Sequence, residues 1–304
     1  MLIDIVDAET TSLTAKSNGA QPAPAARHWP IKIEHKSTGI RFRPEDSPFQ
    51  TLFVDITHRC NMACRNCYIP NRDIEDMPTA FLYDVLSRLP RRTRVRLVGA
   101  EPTLREDLPE IITQTRRLGH LPVILSNGLR LVNRRLVERL KAAGLRTVYL
   151  SMNGGLDDQL YLEIDDLACA KQKVRALEQL SRAKMHVTVG MILVRGVNDK
   201  HLVEFLAFLD AYPKVREIHV RSVGKFGSYM DTVPYLQDEL NQLVASAASG
   251  RFDLTTADTF LTTSGKRIEM TQWPELGSRS RGRLTPEGFV EPCFEHLIEN
   301  SGGY

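Results

Sequence analysis

The sequence lacks the features that mark several specialised classes of protein. Its 304 residues carry a net charge of only +3, far from the dense basic character of most nucleic-acid-binding domains. Its longest apolar runs, such as residues 189–194, are far too short to span a bilayer. The N-terminus shows no basic stretch followed by an apolar one, which is the pattern of a secretory signal. We therefore expect a cytoplasmic protein with no nucleic-acid partner and no membrane partner.

Cysteine is scarce and unevenly placed. There are five cysteines, an odd number, and Cys60, Cys64 and Cys67 lie together in the segment DITHRCNMACRNCYIP (55–70). Such a set does not suit a disulfide framework. A cysteine trio in a reducing compartment indicates a metal site instead. Cys169 stands apart, and we expect it to pack on a helix.

From Thr51 onwards, β-branched apolar runs alternate with helical patterns, which is typical of βα units and a parallel sheet. The predicted strands are Leu52–Ile56, Arg94–Val98, Pro122–Leu125, Thr147–Met152, His186–Val194 and Glu217–Ser222. Helices are predicted near 79–89, 107–118, 133–143, 167–183, 199–211 and 236–248. Eight such units would close a full barrel. Six predict an α/β fold with a partial (β/α)6 barrel.

The alternation of predicted strands and helices divides the chain into three predicted regions. Residues 1–50 form an N-terminal extension, with a mobile leader over 1–29 and a short hairpin over 31–43. Residues 51–250 form the partial barrel. Residues 251–304 form a C-terminal tail that we expect to act as a lid, with a hairpin over 283–293 turning at 286–288.

The cysteine trio directly follows the first predicted strand. In parallel α/β folds, the carboxyl ends of the strands are where chemistry is placed. A structural zinc site needs four ligands, whereas three cysteines on a four-iron cubane leave one iron open, and thiolates are the usual ligands of such clusters. On its own, the trio leaves both kinds of site open.

Taken with the strand ends that follow, the trio resembles the signature loop of the radical S-adenosylmethionine (SAM) superfamily. Five matches occur in order over about residues 51–225, each in phase with the βα rhythm. Two of them depart from the family pattern, because Ala100 replaces the commoner glycine and Asn153 replaces a charged aspartate. The matches are Cys60-x3-Cys64-x2-Cys67-Tyr68, Gly99-Ala100-Glu101-Pro102, Ser126-Asn127-Gly128, Ser151-Met152-Asn153-Gly154 and Gly196-Val197-Asn198-Asp199.

The resemblance implies one [4Fe-4S] cluster on Cys60, Cys64 and Cys67, with SAM bound at the open iron. An electron donor such as flavodoxin or ferredoxin would reduce the cluster. A carbon–sulfur bond of SAM then breaks, usually giving a 5′-deoxyadenosyl radical that abstracts a hydrogen from the substrate. The residues that the resemblance places on the cofactors are Tyr68, Gly99, Ala100, Glu101, Pro102, Ser126, Asn127, Ser151, Asn153 and, as part of an adenine wall, Leu193.

The tail carries the candidate catalytic residue, Cys293. Its surroundings, GFVEPC, resemble the start of an auxiliary-cluster (SPASM/twitch-like) segment, but no cysteine follows it in the sequence. We therefore expect a truncated segment in which Cys293 donates hydrogen to a substrate radical or grips a soft substrate, with a buried inert cysteine as the alternative. Arg279, Arg281 and Arg283 are expected to form an exposed basic patch, and Asp55 is expected to face the barrel interior.

The function implied is a radical SAM enzyme that modifies a small metabolite or natural-product precursor. The reaction would be hydrogen abstraction, or methyl or aminocarboxypropyl transfer to a soft acceptor. One alternative is a peptide-modifying enzyme in which residues 1–50 bind the precursor. A further alternative is a metal-binding module without catalysis.

Overall fold

The computed structural model describes residues 40–69, 72–225, 227–273 and 280–293. The predicted leader and most of the predicted hairpin over 31–43 lie outside the described residues. Phe42, at the end of that stretch, forms an isolated antiparallel bridge with Val290. The division of the chain into three regions stays a prediction.

The predicted strands and helices are present within a few residues of their expected ends. The first six strands are β1 (Thr51–Thr57), β2 (Arg94–Gly99), β3 (Leu121–Ser126), β4 (Thr147–Ser151), β5 (His186–Leu193) and β6 (Val215–Ser222). The helices are α1 (Thr79–Arg88), α2 (Leu108–Arg117), α3 (Arg134–Ala142), α4 (Asp158–Asp165), α5 (Ala170–Arg182), α6 (Leu202–Asp210) and α7 (Gln237–Ala247). Of these, α4 was not predicted.

Local chemistry explains several helix ends. The side chain of Asn133 accepts hydrogen bonds from the first backbone N–H groups of α3, as an N-cap should. Gly119 and Gly144 follow α2 and α3 with φ angles of +90° and +105°, which glycine adopts without strain.

Five further strands follow residue 249, a stretch for which the sequence predicted only one hairpin. They are β7 (Gly250–Phe252), β8 (Thr259–Thr262), β9 (Arg267–Thr271), β10 (Arg281–Leu284) and β11 (Val290–Pro292). The strand order is β11-β10-β1-β2-β3-β4-β5-β6-β9-β8-β7. Neighbours are parallel from β10 through to β9. The fold is therefore the predicted α/β partial barrel, widened by one parallel strand on each side.

The described part of the tail belongs to the sheet. β10 pairs with β1, and β10 and β11 form the predicted hairpin. Residues 281–293 thus extend the barrel wall beside β1, and a lid role for the tail stays a prediction. Arg281 of β10 and Glu269 of β9 form an ion pair, which links the two outermost parallel strands across the open seam of the barrel.

The two faces of the sheet differ in character. On β1, Leu52, Val54 and Ile56 pack into the main hydrophobic core beneath the helices. Phe53 and Asp55 alternate with them and face the barrel interior. The interior therefore carries polar and charged side chains, while the outer face is apolar. Among the described residues, no helix is both long and apolar enough to cross a membrane.

Candidate cofactor and substrate site

The cysteine loop begins where β1 ends and is joined to the turn after β2. Ala100 N–H donates to the Thr57 carbonyl at 2.9 Å, and Glu101 N–H donates to the Arg59 carbonyl at 3.0 Å. Gly99 allows this approach, because its φ is +111° and a Cβ there would lie 2.0 Å from the Thr57 oxygen. The glycine of the predicted turn is thus required by the contact between the two strand ends.

The middle of the loop is held by two later segments. Arg65 N–H donates to the Ile164 carbonyl of α4 at 3.1 Å, and Ser228 N–H donates to the Arg65 carbonyl at 2.9 Å. Gly227 permits the second contact, since a Cβ at its φ of +54° would lie 2.1 Å from the Arg65 oxygen. The position of the cysteines therefore depends on backbone from α4 and from the chain after β6.

The three thiols lie together and are half-buried. Cys67 N–H donates to the Cys64 carbonyl at 3.2 Å. Burial raises the pKa of Cys60 and of Cys64, and the neighbouring thiols raise both further. Over the described parts of the chain, no three His, Cys, Asp or Glu side chains are grouped so as to hold a single metal ion.

Nitrogen donors point at the sulfur atoms. Arg72 Nη2 lies 3.0 Å from Cys67 Sγ, and Ile69 N–H donates to the same sulfur at 3.5 Å. Asn127 Nδ2 lies 3.8 Å from Cys60 Sγ. Hydrogen bonds to the ligating sulfurs are one of the ways in which proteins tune an iron–sulfur cluster. Three neighbouring thiols with N–H groups aimed at two of them fit a cluster held by cysteine thiolates.

The side chain of Glu101 joins the turn after β2 to the end of β3. It is fully buried. Its Oε1 accepts from Thr103 N–H at 3.1 Å, from Thr103 Oγ1 at 2.5 Å and from Ser126 Oγ at 2.9 Å, while Oε2 accepts from Asn127 N–H at 2.7 Å. Pro102 begins a buried 3-10 turn beside it. Two of the predicted cofactor residues, Ser126 and Asn127, are therefore positioned by a third.

Asn127 and Ser151 stand at the ends of β3 and β4, as predicted. The Asn127 side chain donates to Asn61 Oδ1 in the cysteine loop at 2.8 Å. Ser151 is half-buried and lies on the interior face of β4. The end of β3 thus reaches the cysteine loop, and contact with SAM stays a prediction for both residues.

The side chains of two other predicted cofactor residues make contacts within the protein. Asn153 Nδ2 donates to Asp165 Oδ1 at 2.8 Å, and its Oδ1 accepts from Ile192 N–H at 2.9 Å. Leu193 is fully buried in the main core on the helix-facing side, so it does not contribute to an interior adenine wall. Ile192, one position earlier, is half-buried on the interior side, because side chains alternate along a strand.

Tyr68 and Cys293 come together in the barrel interior. Cys293 is 2% exposed and packs with Phe53, while Tyr68 packs against the same cluster. Burial raises the pKa of Tyr68 to about 12. The guanidinium of Arg283 lies 5.7 Å from the Tyr68 ring centroid and forms an ion pair with Asp55. Asp55 therefore faces the interior as expected.

The expected exposed patch of arginines is wrong for the two members that the structure describes. The side chains of Arg281 and Arg283 are only 16% and 10% exposed. They lie on the interior face of β10, the first strand of the predicted hairpin, whose pairing with β1 the sequence did not predict. Arg279 lies outside the described residues.

The sequence also missed a polar network deeper in the interior. Arg96 of β2 lies over the Phe53 ring at 5.0 Å. His219 Nε2 is 2.7 Å from Thr271 Oγ1, and its Nδ1 is 3.4 Å from Tyr149 OH. The alternation in RVRLVG (94–99) was the available signal, since it places arginines on one face of a central strand.

Comparison with known proteins agrees with this geometry. Residues 54–209, just over half of the chain, match the family described as the Radical SAM superfamily. The chain belongs to this superfamily. It is therefore an enzyme, and its cofactors are a [4Fe-4S] cluster and SAM.

Two curated relatives illustrate the range of similarity. The chain is 34% identical over 161 residues to 7,8-dihydro-6-hydroxymethylpterin dimethyltransferase of Methanocaldococcus jannaschii, a match that spans 49% of this chain and 31% of the relative. It is 22% identical over 264 residues to GTP 3',8-cyclase of Clostridium botulinum, which covers 80% of each.

Among solved structures, Streptococcus suis SuiB bound to its precursor peptide SuiA superposes with a TM-score of 0.64 at 16% identity. The match covers 83% of this chain and 61% of that one. At this identity the likeness is one of fold.

Proposed function

We propose that this enzyme reductively cleaves SAM and uses the product to modify a small anionic metabolite held in the barrel interior. We infer the anionic substrate class from two buried guanidinium nitrogens. Arg96 Nε and Arg283 Nη1 are buried and have no hydrogen-bond partner among the described residues. Both belong to interior side chains on strands that flank β1.

The interior is electrically suited to an anion. Burial lowers the pKa of His219 well below its ordinary value, and Arg221, Arg281 and Arg96 lower it further. Burial also lowers the pKa of Arg96, as expected for a charge taken out of water. A phosphate or carboxylate would supply acceptors for the unpartnered N–H groups, and guanidinium binds both groups well.

A cavity of about 200 Å³ reaches this network from the amino-terminal end of the strands. Arg94, Arg96 and Arg216 line it together with Tyr149, and Glu217 contributes the opposite charge. Arg96 is thus accessible from the end of the barrel opposite the cysteine loop. The cavity supports a substrate whose charged group lies deep in the barrel.

The names of the curated relatives support a small-molecule substrate. One is named for a pterin and the other for GTP. GTP is itself an anion, in agreement with the basic interior. The likeness to SuiB is one of fold and gives no separate support to a peptide substrate, so we favour the small metabolite.

The cofactors would occupy the cysteine loop and the neighbouring strand ends. Cys60, Cys64 and Cys67 would hold the cluster, and the turn at 99–102 with Asn127 and Ser151 would line the SAM site. When bound, the cluster supplies one electron, received from a donor such as flavodoxin or ferredoxin, for cleavage of a carbon–sulfur bond of SAM. The protein supplies a buried interior that shields the radical from water.

Arg96 is expected to be the main determinant of anion binding. GTP, used as a probe, should bind the holoenzyme at least tenfold more tightly than guanosine. Arg96→Met keeps most of the volume but removes the charge, so it should weaken GTP binding about tenfold or more and leave guanosine unaffected. Isothermal titration under anaerobic conditions measures both constants.

The matched control is Arg139→Met, which removes an exposed arginine from α3. It should bind GTP like the wild type. Equal affinity for GTP and guanosine, or an Arg96→Met protein that binds GTP as the wild type does, would contradict the anionic substrate class.

We propose a substrate-side role for Cys293. The Cys293→Ser protein should cleave SAM at the wild-type rate in the absence of substrate, because Cys293 is not one of the loop cysteines. With substrate present, formation of the modified product should fall at least a hundredfold. Chromatography of the nucleoside and of the substrate fraction reports the two steps separately.

If SAM cleavage without substrate falls as well, the substrate-side assignment is wrong. Cys169→Ser serves as the control, since Cys169 is also fully buried but lies at the start of α5. It should retain both SAM cleavage and product formation.

A further inference from the structure

Lys173 is a buried cation inside the cofactor site. It lies on α5, and its side chain is among the largest fully buried ones. Its Nζ donates to the carbonyl of Asn127 at 2.7 Å and to that of Ser151 at 3.1 Å. These carbonyls belong to the ends of β3 and β4, so the ammonium ties the two strand ends together.

The charge of Lys173 is not balanced by a direct ion pair. Over the described residues, no carboxylate lies within 4.0 Å of its Nζ, which lies instead 5.6 Å from the Tyr161 ring centroid. Asp165 is the acidic group nearby, and it is 1% exposed. Tyr161 packs in the same cluster as Cys60 and Cys64. The side chain of Asn127, whose carbonyl accepts from Lys173, reaches Cys60 Sγ at 3.8 Å. The ammonium therefore lies one residue away from the cysteine loop.

We propose that Lys173 is a positioning residue that favours the reduced state of the cluster held by the cysteine loop. The inference rests on the proposed cluster site. An external one-electron donor adds one negative charge to a cluster that already carries three thiolates. A buried cation stabilises the more negative state, because charges interact strongly in a medium of low dielectric constant. Its two hydrogen bonds keep the ammonium in place.

The surroundings explain why the residue is a lysine. Ala176, Leu177 and Leu180 follow it on the same buried face of α5, so an apolar residue would match its neighbours there. Such a residue would leave the carbonyls of Asn127 and Ser151 without this donor and would remove the charge. The lysine therefore serves the site rather than the core.

The test is an EPR-monitored redox titration of the reconstituted protein without SAM or substrate. Lys173→Met and Lys173→Gln both remove the charge, while glutamine keeps an N–H donor. Each should lower the equilibrium constant for reduction about tenfold, which corresponds to a midpoint potential about 59 mV more negative. Lys171→Met removes an exposed lysine from the same helix and should keep the wild-type potential.

Wild-type potentials in both neutral variants would overturn the inference and leave the proposed function standing. A wild-type protein that takes up no cluster would overturn both. If neither neutral variant takes up iron, the cluster content and midpoint potential of the Lys173→Arg protein are measured instead. Restored cluster content at the wild-type potential supports the role of the charge, and failure to restore it assigns Lys173 to folding alone.

Discussion

The Cys60→Ala protein is expected to lose the cluster and all SAM cleavage. With one of three ligands removed, the loop at 60–67 cannot hold a cubane that already lacks a fourth cysteine. After anaerobic reconstitution and reduction, the wild type should release 5′-deoxyadenosine or 5′-methylthioadenosine from SAM. The variant should release neither above a protein-free control. Iron content and the EPR signal of the reduced protein measure the loss independently of activity.

Cys169→Ala is the matched control for this experiment. Cys169 packs in the same small hydrophobic cluster as Cys60 and Cys64, yet it is not a predicted ligand. Its loss should leave iron content and SAM cleavage at wild-type levels. A Cys60→Ala protein with full iron content and activity would refute the ligand assignment. Loss of cluster in Cys169→Ala would show that the ligand set is incomplete.

The Glu101→Ala protein is expected to lose about 3 kcal/mol or more of unfolding free energy. The side chain is fully buried and accepts four hydrogen bonds from Thr103, Ser126 and Asn127. Its removal leaves buried donors without an acceptor, which is far more costly than losing an exposed contact. Because the carboxylate holds the end of β3, SAM binding should weaken at least tenfold as well.

Urea unfolding followed by circular dichroism measures the stability of the apoprotein, and equilibrium dialysis measures SAM binding to the holoenzyme. Glu110→Ala removes an exposed glutamate from the first turn of α2 and should change either quantity little. A Glu101→Ala protein as stable as Glu110→Ala would contradict the role of Glu101 in joining the turn after β2 to the end of β3. Glu101→Gln should fall between the two, since it keeps one acceptor oxygen.

The sequence was most informative where local patterns repeat. Alternating strands and helices predicted the α/β partial barrel, and the five strand-end motifs predicted the superfamily. The order of these motifs carried most of the information, because parallel strands bring their carboxyl ends to one edge. Asn133 is explained by a local requirement, because the first backbone N–H groups of α3 need a side-chain acceptor.

The sequence-based predictions of site residues failed where the result depended on which face of a strand a side chain occupies, or on contacts between segments distant in sequence. Leu193 was chosen on the wrong face of β5, an error of one position that the strand period turns into the opposite side of the sheet. Arg281 and Arg283 looked like surface charge because β10 is only four residues long. Lys173 left one signal, a lysine in register with Ala176, Leu177 and Leu180 on the buried face of a helix.

The sequence by itself determined the cofactor chemistry, since the spacing of Cys60, Cys64 and Cys67 and the turn at 99–102 are local features of the chain. Only the tertiary structure decided what surrounds them. The pairing of β10 with β1 brings Arg283 and Cys293 to the interior beside Tyr68, from more than 200 residues away in sequence. Long-range strand pairing of this kind follows from sheet geometry, and no local pattern encodes it.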